Sequence, residues 1–381
     1  MMVMTRRIAT VLLLLAAASA RAGLVTTDIS AGQSAESLVA GILGGGVSVS
    51  NVTYRGCPAG AGTFGGGSAI VGFEGGIVLS SGSVAAAVGP NTDAGVSTVC
   101  DAPGDLDLDV LVPGTTTQDA SVLEFDFVPA QSTIIFQYVF ASEEYLEYVG
   151  SQFNDVFGFF VNGVNQALIP GTTTPVAINN VNDVGDGGGA NPLFFVDNTC
   201  TDGICPRDTQ ADGLTQVLSF TAQVVPNQTN HIKLAIADAG DPILDSWVFI
   251  AAGTLSATSA QVTDPVVRGS TARMTVTIAN TGKGAGVVEA AGFAQNLTTD
   301  ATLAGMPLAV SGPTGLARVT RPVRARFRKG KATVKLKLNA LGKRLLKESS
   351  SGIQVLAVVQ VTEGDRTVQL QRLFSILRGR R

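Results

Sequence analysis

Short runs of Val, Ile, Leu and Phe, bounded by Gly, Thr, Asn and Asp, recur along most of the chain. That punctuation is the grammar of strands separated by turns. In Leu123-Glu124-Phe125-Asp126-Phe127 the apolar residues take every second position, so one face points inward and the other outward. The same reading predicts strands at 47–54, 69–80, 121–128, 133–140, 155–161, 174–179, 215–225, 230–238 and 247–255. Pro129-Ala130-Gln131-Ser132 reads as the turn between two of them. One short helix is expected at 35–43, capped by Asp28 or Ser30 and ended by Gly44-Gly45-Gly46. Many strands, few helices and short connections predict an all-β fold, a jelly-roll-like antiparallel β-sandwich. Residues 180–213, rich in Asn, Asp and Gly, are expected to form a long surface loop.

A second, smaller pattern follows. Strands are expected at 272–279, 322–327 and 331–338, the last two alternating basic with apolar residues. Asn339 caps a predicted helix at 340–348, with Leu341, Leu345 and Leu346 on one side. Residues 353–362 and 367–377 read as a closing hairpin. Together these predict a small Ig-like β-sandwich with one short helix, spanning 256–381.

Charge sharpens the division. Residues 23–255 hold three basic residues, Arg55, Arg207 and Lys233, against 24 acidic ones, a net charge of −21. Residues 256–381 hold 20 basic and six acidic residues, a net charge of +14. So sharp a change marks a domain boundary near residue 255. The acidity of the first part excludes nucleic acid as its natural partner and suits cation binding. The basic run from Arg318 to Lys337 reads first as a charged, solvated strand face; the sharper alternative is contact with an anionic envelope polymer, lipid headgroups or another polyanion.

At the start, Arg6 and Arg7 precede an apolar stretch, 8–18, and Ala20-Arg21-Ala22 is an A-x-A cleavage site before Gly23. Residues 1–22 therefore read as a cleaved signal peptide, which predicts an exported chain. No later stretch reads as a membrane helix. The four cysteines fit an oxidising compartment and two disulfides, for which sequence allows three pairings. Spacing favours Cys200–Cys205 as a local clip and Cys57–Cys100 as a longer staple. Single Cys residues distant from one C-x₄-C pair are poor zinc-ligand spacing.

Carboxylates are the densest candidate chemistry. Asp105, Asp107 and Asp109 alternate with Leu106, Leu108 and Val110, which in a strand would place the acids on one face. A Ca²⁺ ion, taking six to eight oxygen ligands, would relieve their repulsion. Glu143, Glu144, Glu147 and Asp155 surround one turn, and Asp238, Asp241 and Asp245 another. We expect a Ca²⁺ site from Glu143, Glu144 and Asp155 with Asp238 and Asp241, and a secondary candidate at Asp105 and Asp107. Solvated turn acids are the plainer alternative. No catalytic set is expected. His231 is the sole histidine, no G-x-S-x-G elbow occurs, and the Gly-rich stretches lack a P-loop lysine.

Several segments resemble one family. Leu43-Gly44-Gly45-Gly46-Val47-Ser48-Val49-Ser50-Asn51-Val52-Thr53-Tyr54 is similar to the opening of the choice-of-anchor L domain of bacterial surface proteins. Gly75-Gly76-Ile77-Val78-Leu79-Ser80-Ser81-Gly82 resembles its "GIVLS(S/T)G" strand, and Pro103-Gly104-Asp105-Leu106-Asp107-Leu108 its "PGDxDL" motif. Phe136 to Tyr145 and Phe153 to Phe160 resemble its central signature; Ala235 to Asp241 and Asp245 to Ile250 resemble its end. The resemblance covers about 24–255 and implies an exported protein held outside the cell by a C-terminal anchor of variable type. It implies no particular activity. Neither an LPxTG motif nor an apolar segment precedes the basic tail, a departure from chains anchored that way. The C-terminal unit is similar to β-sandwich modules that end many bacterial surface proteins.

The sequence thus predicts a secreted or cell-surface binding or adhesion protein, not an enzyme, stabilised by Ca²⁺. Its expected ligand is an extracellular glycan or a surface protein. The alternatives are an extracellular glycan hydrolase using paired carboxylates and a purely structural envelope component.

Overall fold

A computed structural model describes residues 23–184, 189–278, 286–295, 316–363 and 366–378. The expected signal peptide, 1–22, lies outside the described residues.

Two antiparallel sheets form the first unit. One runs, in spatial order, Val25–Asp28, Ala61–Gly65, Gly76–Ser80, Ser246–Ala251, Thr133–Ser142, Gly213–Thr215 and Phe195–Asp197. Leu218–Gln223 and Ser256–Thr258 also pair with Thr133–Ser142. The other runs Val47–Arg55, Thr117–Pro129, Asn230–Ala239, Val156–Val161 and Val164–Asn165, with Val176–Ala177 added on Val156–Val161. The chain crosses between sheets from Thr117–Pro129 to Thr133–Ser142, on to Val156–Val161, and again from Asn230–Ala239 to Ser246–Ala251. The fold is the all-β double-sheet sandwich expected from the alternation.

Aromatic rings fill the space between the sheets. Leu123, Phe125 and Phe127 are fully buried while Glu124 and Asp126 reach the surface, as their period of two requires. Phe136 of one sheet meets Phe159 of the other edge to face, centroids 4.4 Å apart, and Phe220 closes the triangle at 5.0 and 4.3 Å.

Departures from the expected elements have local causes. The first helix is Ala35–Ile42, and its cap is Ser34, whose hydroxyl accepts from the Ser37 N–H while its own N–H donates to the Ser37 hydroxyl. Asp28 instead caps the short 3₁₀ turn Ile29–Ala31. The strand expected at 69–80 shrinks to Gly76–Ser80, and the one at 174–179 to Val176–Ala177. Of the described residues in 180–213, those around the Cys200–Cys205 clip are mostly exposed, but the rest of the segment is not a surface excursion. Leu193, Phe194 and Phe195 are buried, and Asn side chains supply the bonds a ladder would have given. Asn198 donates to the Thr209 and Ala211 carbonyls and accepts from the Arg207 N–H, and Asn182 donates to the Ile178 carbonyl. The disulfides are Cys57–Cys100 and Cys200–Cys205, the pairing that spacing favoured.

In the second unit Gln261–Val262, Val266–Arg268, Thr271–Thr277 and Lys331–Lys337 form one sheet. Leu316–Arg318, Val287–Gln295, Val323–Arg326, Ile353–Glu363 and Arg366–Ile376 form the other. The helix is Ala340–Glu348, capped by Asn339, which accepts from the Gly342 N–H at 2.8 Å. The units share apolar surface: Leu356 packs into the first core and Ile135 into the second. Gln371 ties them further, donating to the Val217 carbonyl and accepting from the Ser219 N–H, each at 2.9 Å. Among the described residues no helix is long and apolar enough to cross a membrane.

Candidate functional site

Antiparallel pairing brings acid-bearing strand ends to one end of the first sandwich. Ser142 lies opposite both Ser246 and Gly213, so Glu143, Glu144, Asp245 and Asp212 follow or precede neighbouring strands at that end. In the facing sheet Asp238 lies opposite Gln118, and Ala237 opposite Val156, which delivers Asp238, Asp119 and Asp155 to the same end. A β-bulge sets Asp119 and Ala120 against the single Ala237, and Asp119 takes a φ of 50°. Bulges re-aim side chains beside such sites.

All seven of these carboxylates are buried, Glu143, Asp155, Asp238 and Asp245 at 1% exposure. Among the described residues no Arg, Lys or His forms a salt bridge with any of them. Two act as ties. Asp119 accepts from the Cys100 and Ala102 N–H groups at 2.8 and 2.6 Å. Asp245 accepts from the Ser83 and Thr98 N–H groups at 3.0 and 2.6 Å. Together with Cys57–Cys100 they fasten the segment 83–102 over the sandwich end. Asp119→Ala would leave two half-buried N–H groups without this acceptor, a loss of about 1–2 kcal/mol. Urea unfolding should show that drop, accompanied by faster proteolysis within 83–102; unchanged cleavage there would contradict the tie.

The other five are less satisfied. Asp155 accepts from the Ala239 N–H at 2.9 Å and the Ser246 hydroxyl at 2.7 Å. Asp212 accepts from the Asn91 amide at 2.6 Å through one oxygen, and its other oxygen has no partner. Glu144 Oε2, Asp238 Oδ1 and both oxygens of Glu143 also lack a hydrogen-bond partner. Burial, then the charge of Asp212, pushes Glu143 up to about 9; the nearby Val96 N–H and Gln210 amide pull it back only in part. Burial, with Asp155 and Asp241 beside it, takes Glu144 to about 9 as well. Asp155 rises to about 7 by burial against its two hydrogen bonds. Asp238 is held well above the usual carboxylate range by burial and by Asp155. Asp212 and Asp245 rise to about 6, again through burial.

The acids expected to form one site therefore fall into two adjoining groups. Glu144 meets Asp155 and the half-buried Asp241, Glu143 meets Asp212 and Asp245, and Asp238 lies beside both Asp155 and Asp245. Asp119 and Asp212 were missed because nothing in their neighbours distinguishes them from turn acids; strand register alone sinks them. As placed, the carboxylates are not a finished cage: among the described residues no three Asp, Glu, His or Cys side chains stand at ligand spacing.

Asp105, Asp107 and Asp109 do not share a strand face. Leu106–Asp109 is one helical turn, and Asp105 caps it by accepting from the Asp107 N–H at 3.1 Å. Asp105 pairs with Arg55 and Lys233, and Asp107 with Lys233, each at 2.7 Å. Local cations already neutralise that secondary candidate. His231 lies on an outer strand face, 2.9 Å from Asp126 and 3.4 Å from Glu124.

The Choice-of-anchor L domain profile matches residues 26–256. No curated protein matches the chain. Among solved structures, Ruminococcus gnavus β-glucuronidase in complex with uronic isofagomine aligns at 13% identity and a TM-score of 0.19, covering 72% of this chain and 35% of that one. The same enzyme in its apo form aligns at 12% identity, TM-score 0.19, covering 72% and 36%. The chain spans about a third of that enzyme's length, and so low a TM-score carries no argument about fold or activity.

Proposed function

Because the chain belongs to the choice-of-anchor L domain family, we propose that it is a non-catalytic binding or adhesion protein working outside the cell, with the acid-lined end of its first sandwich closed by Ca²⁺. The family implies a surface or exported protein, and two disulfides suit that location. The observation that carries the calcium reading is Glu143: 1% exposed, with only the nearby Val96 N–H and Gln210 amide approaching and neither carboxylate oxygen held in a well-formed hydrogen bond. A buried unpaired carboxylate is penalised by several kcal/mol, so it holds either a proton or a cation. The surrounding donors are oxygens, from Asp212, Asp245 and Gln210, the hard set that Ca²⁺ prefers. The loops around that end, fastened by Asp119, Asp245 and two disulfides, are suited to display toward a glycan or a surface protein. Sealed carboxylates favour this reading over hydrolysis, because a polymer has no approach to an oxygen 1% exposed.

Calcium should raise the melting temperature of the full chain relative to EDTA, by about 2.7 kcal/mol of stability at a concentration 100 times Kd. Glu143→Gln should remove most of that gain. Equal melting in both buffers would reject the ion. Binding on a glycan array that vanishes in EDTA would support the adhesion half of the reading. Turnover of a glycan panel abolished by Glu143→Gln would replace it with hydrolysis.

A further inference from the structure

The basic run 318–337 does not act as a unit. Arg324 pairs with Glu289 at 3.3 Å, and Leu316–Arg318 belongs to a different sheet from Lys331–Lys337. What the structure builds instead is a basic sheet face assembled from three strands. Thr271 lies opposite Arg268 on one side and Lys337 on the other; Arg273 lies opposite Lys335. Residues directly opposite, and those two apart on one strand, share a face. Arg268, Arg273, Lys331, Lys335 and Lys337 are all exposed there, while Ala272, Met274, Val334 and Leu336 point into the core. Among the described residues, no acid forms a salt bridge with any of these five cations.

We propose that this face binds a linear polyanion, a chain bearing repeated phosphate or carboxylate groups. Three features point there. Arg273 and Lys335 directly oppose each other, an arrangement that destabilises a sheet unless an anion neutralises it. Strands about 4.8 Å apart and alternate residues about 6.8 Å apart set the cations on a flat grid, so successive charges of an extended polymer meet successive side chains. Threonine hydroxyls lie between the cations and, among the described residues, no aromatic ring does, which suits charge-repeat recognition. The face lies in the second unit, so this inference does not depend on the calcium site.

The test uses the full chain with inorganic polyphosphate and with alginate as probes, titrated at several salt concentrations. Binding should weaken steeply with salt, because released counterions drive it. Arg273→Thr with Lys335→Thr should weaken affinity at least tenfold and flatten the salt dependence. Lys343→Gln with Lys347→Gln, which removes equal charge from the helix, should change affinity less than twofold. Arg273→Thr alone should also raise the melting temperature, since it relieves the like-charge pair; a face that is merely structural would not trade stability for binding in this way. Equal losses in both double variants would reduce the effect to net charge and overturn the site. Binding confined to anionic phospholipid vesicles, with none to either polymer, would assign the face to a membrane and overturn it too.

Discussion

Phe136→Ala is expected to lower the unfolding free energy of the protein by about 3–5 kcal/mol. Phe136 is 1% exposed and sits where the two sheets of the first unit face each other. Its ring touches Phe159 across the sandwich at 4.4 Å, Phe220 on the adjacent strand at 5.0 Å, and Tyr138 at 5.6 Å. Removing it deletes apolar burial and three aromatic contacts, and it leaves a void that stiff neighbouring strands cannot close. Phe136→Leu keeps most of the volume and should lose less than half as much. Urea unfolding monitored by the buried Trp247 reads both variants. A loss below about 1 kcal/mol for the alanine variant would mean that the sheets collapse onto the gap, which the close-packed ring triangle argues against.

That core was legible from sequence because its rule is local. Leu123 to Phe127 alternate, and alternation fixes which side faces in wherever the partner sheet lies. The cap at Asn339 and the hairpin of Ile353–Glu363 with Arg366–Ile376 were visible for the same reason. In the segment 180–213 the exposed stretch around Cys200–Cys205 was legible, but the burial of Leu193–Phe195 was not, because nearby backbone groups are satisfied by Asn182 and Asn198, and Asn-rich composition ordinarily marks exposed turns. The alternation of Asp105, Asp107 and Asp109 was genuine but fits a capped helical turn as well as a strand. Lys233, 128 residues from Asp105, decides between them by pairing with Asp105 and Asp107. The candidate site was half legible. Glu143, Glu144, Asp155 and Asp238 flank apolar runs, which places them at strand ends. Which end, and beside which other acids, depends on register across six strands, and that is how Asp119 and Asp212 escaped notice.

In EDTA the protein should lose stability as pH rises from about 4 to about 9, most steeply below about 6, where all four raised carboxyls contribute, and on the proposed reading the stabilisation by calcium should grow over the same interval. Glu143 has its folded value raised from 4.5 to about 9, and Asp155 from 3.8 to about 7. Asp212 and Asp245 rise from 3.8 to about 6. For a carboxyl raised on folding, the native chain keeps a proton that the unfolded chain releases. Stability is full below the unfolded value and falls as pH climbs through the folded one, at about 1.4 kcal/mol per pH unit for each proton by which the states differ. The ordinary acid with a depressed folded value behaves in the opposite sense, so a decline between pH 6 and 9 is diagnostic of this buried end. On the proposed reading calcium binds only the deprotonated carboxylates and so competes with those protons. Its effect on the melting temperature should be near nil at pH 5 and greatest at pH 8 to 9, where the cation-free protein is weakest. Glu143→Gln, which cannot titrate, should flatten the EDTA curve between pH 7 and 9 and shrink the calcium gain there. Melting curves on a grid of pH with calcium or EDTA measure both effects together. A cation-free protein as stable at pH 8.5 as at pH 5.5 would mean that these carboxylates ionise freely in the fold, and neither protons nor calcium would then be needed to hold the end of the sandwich closed.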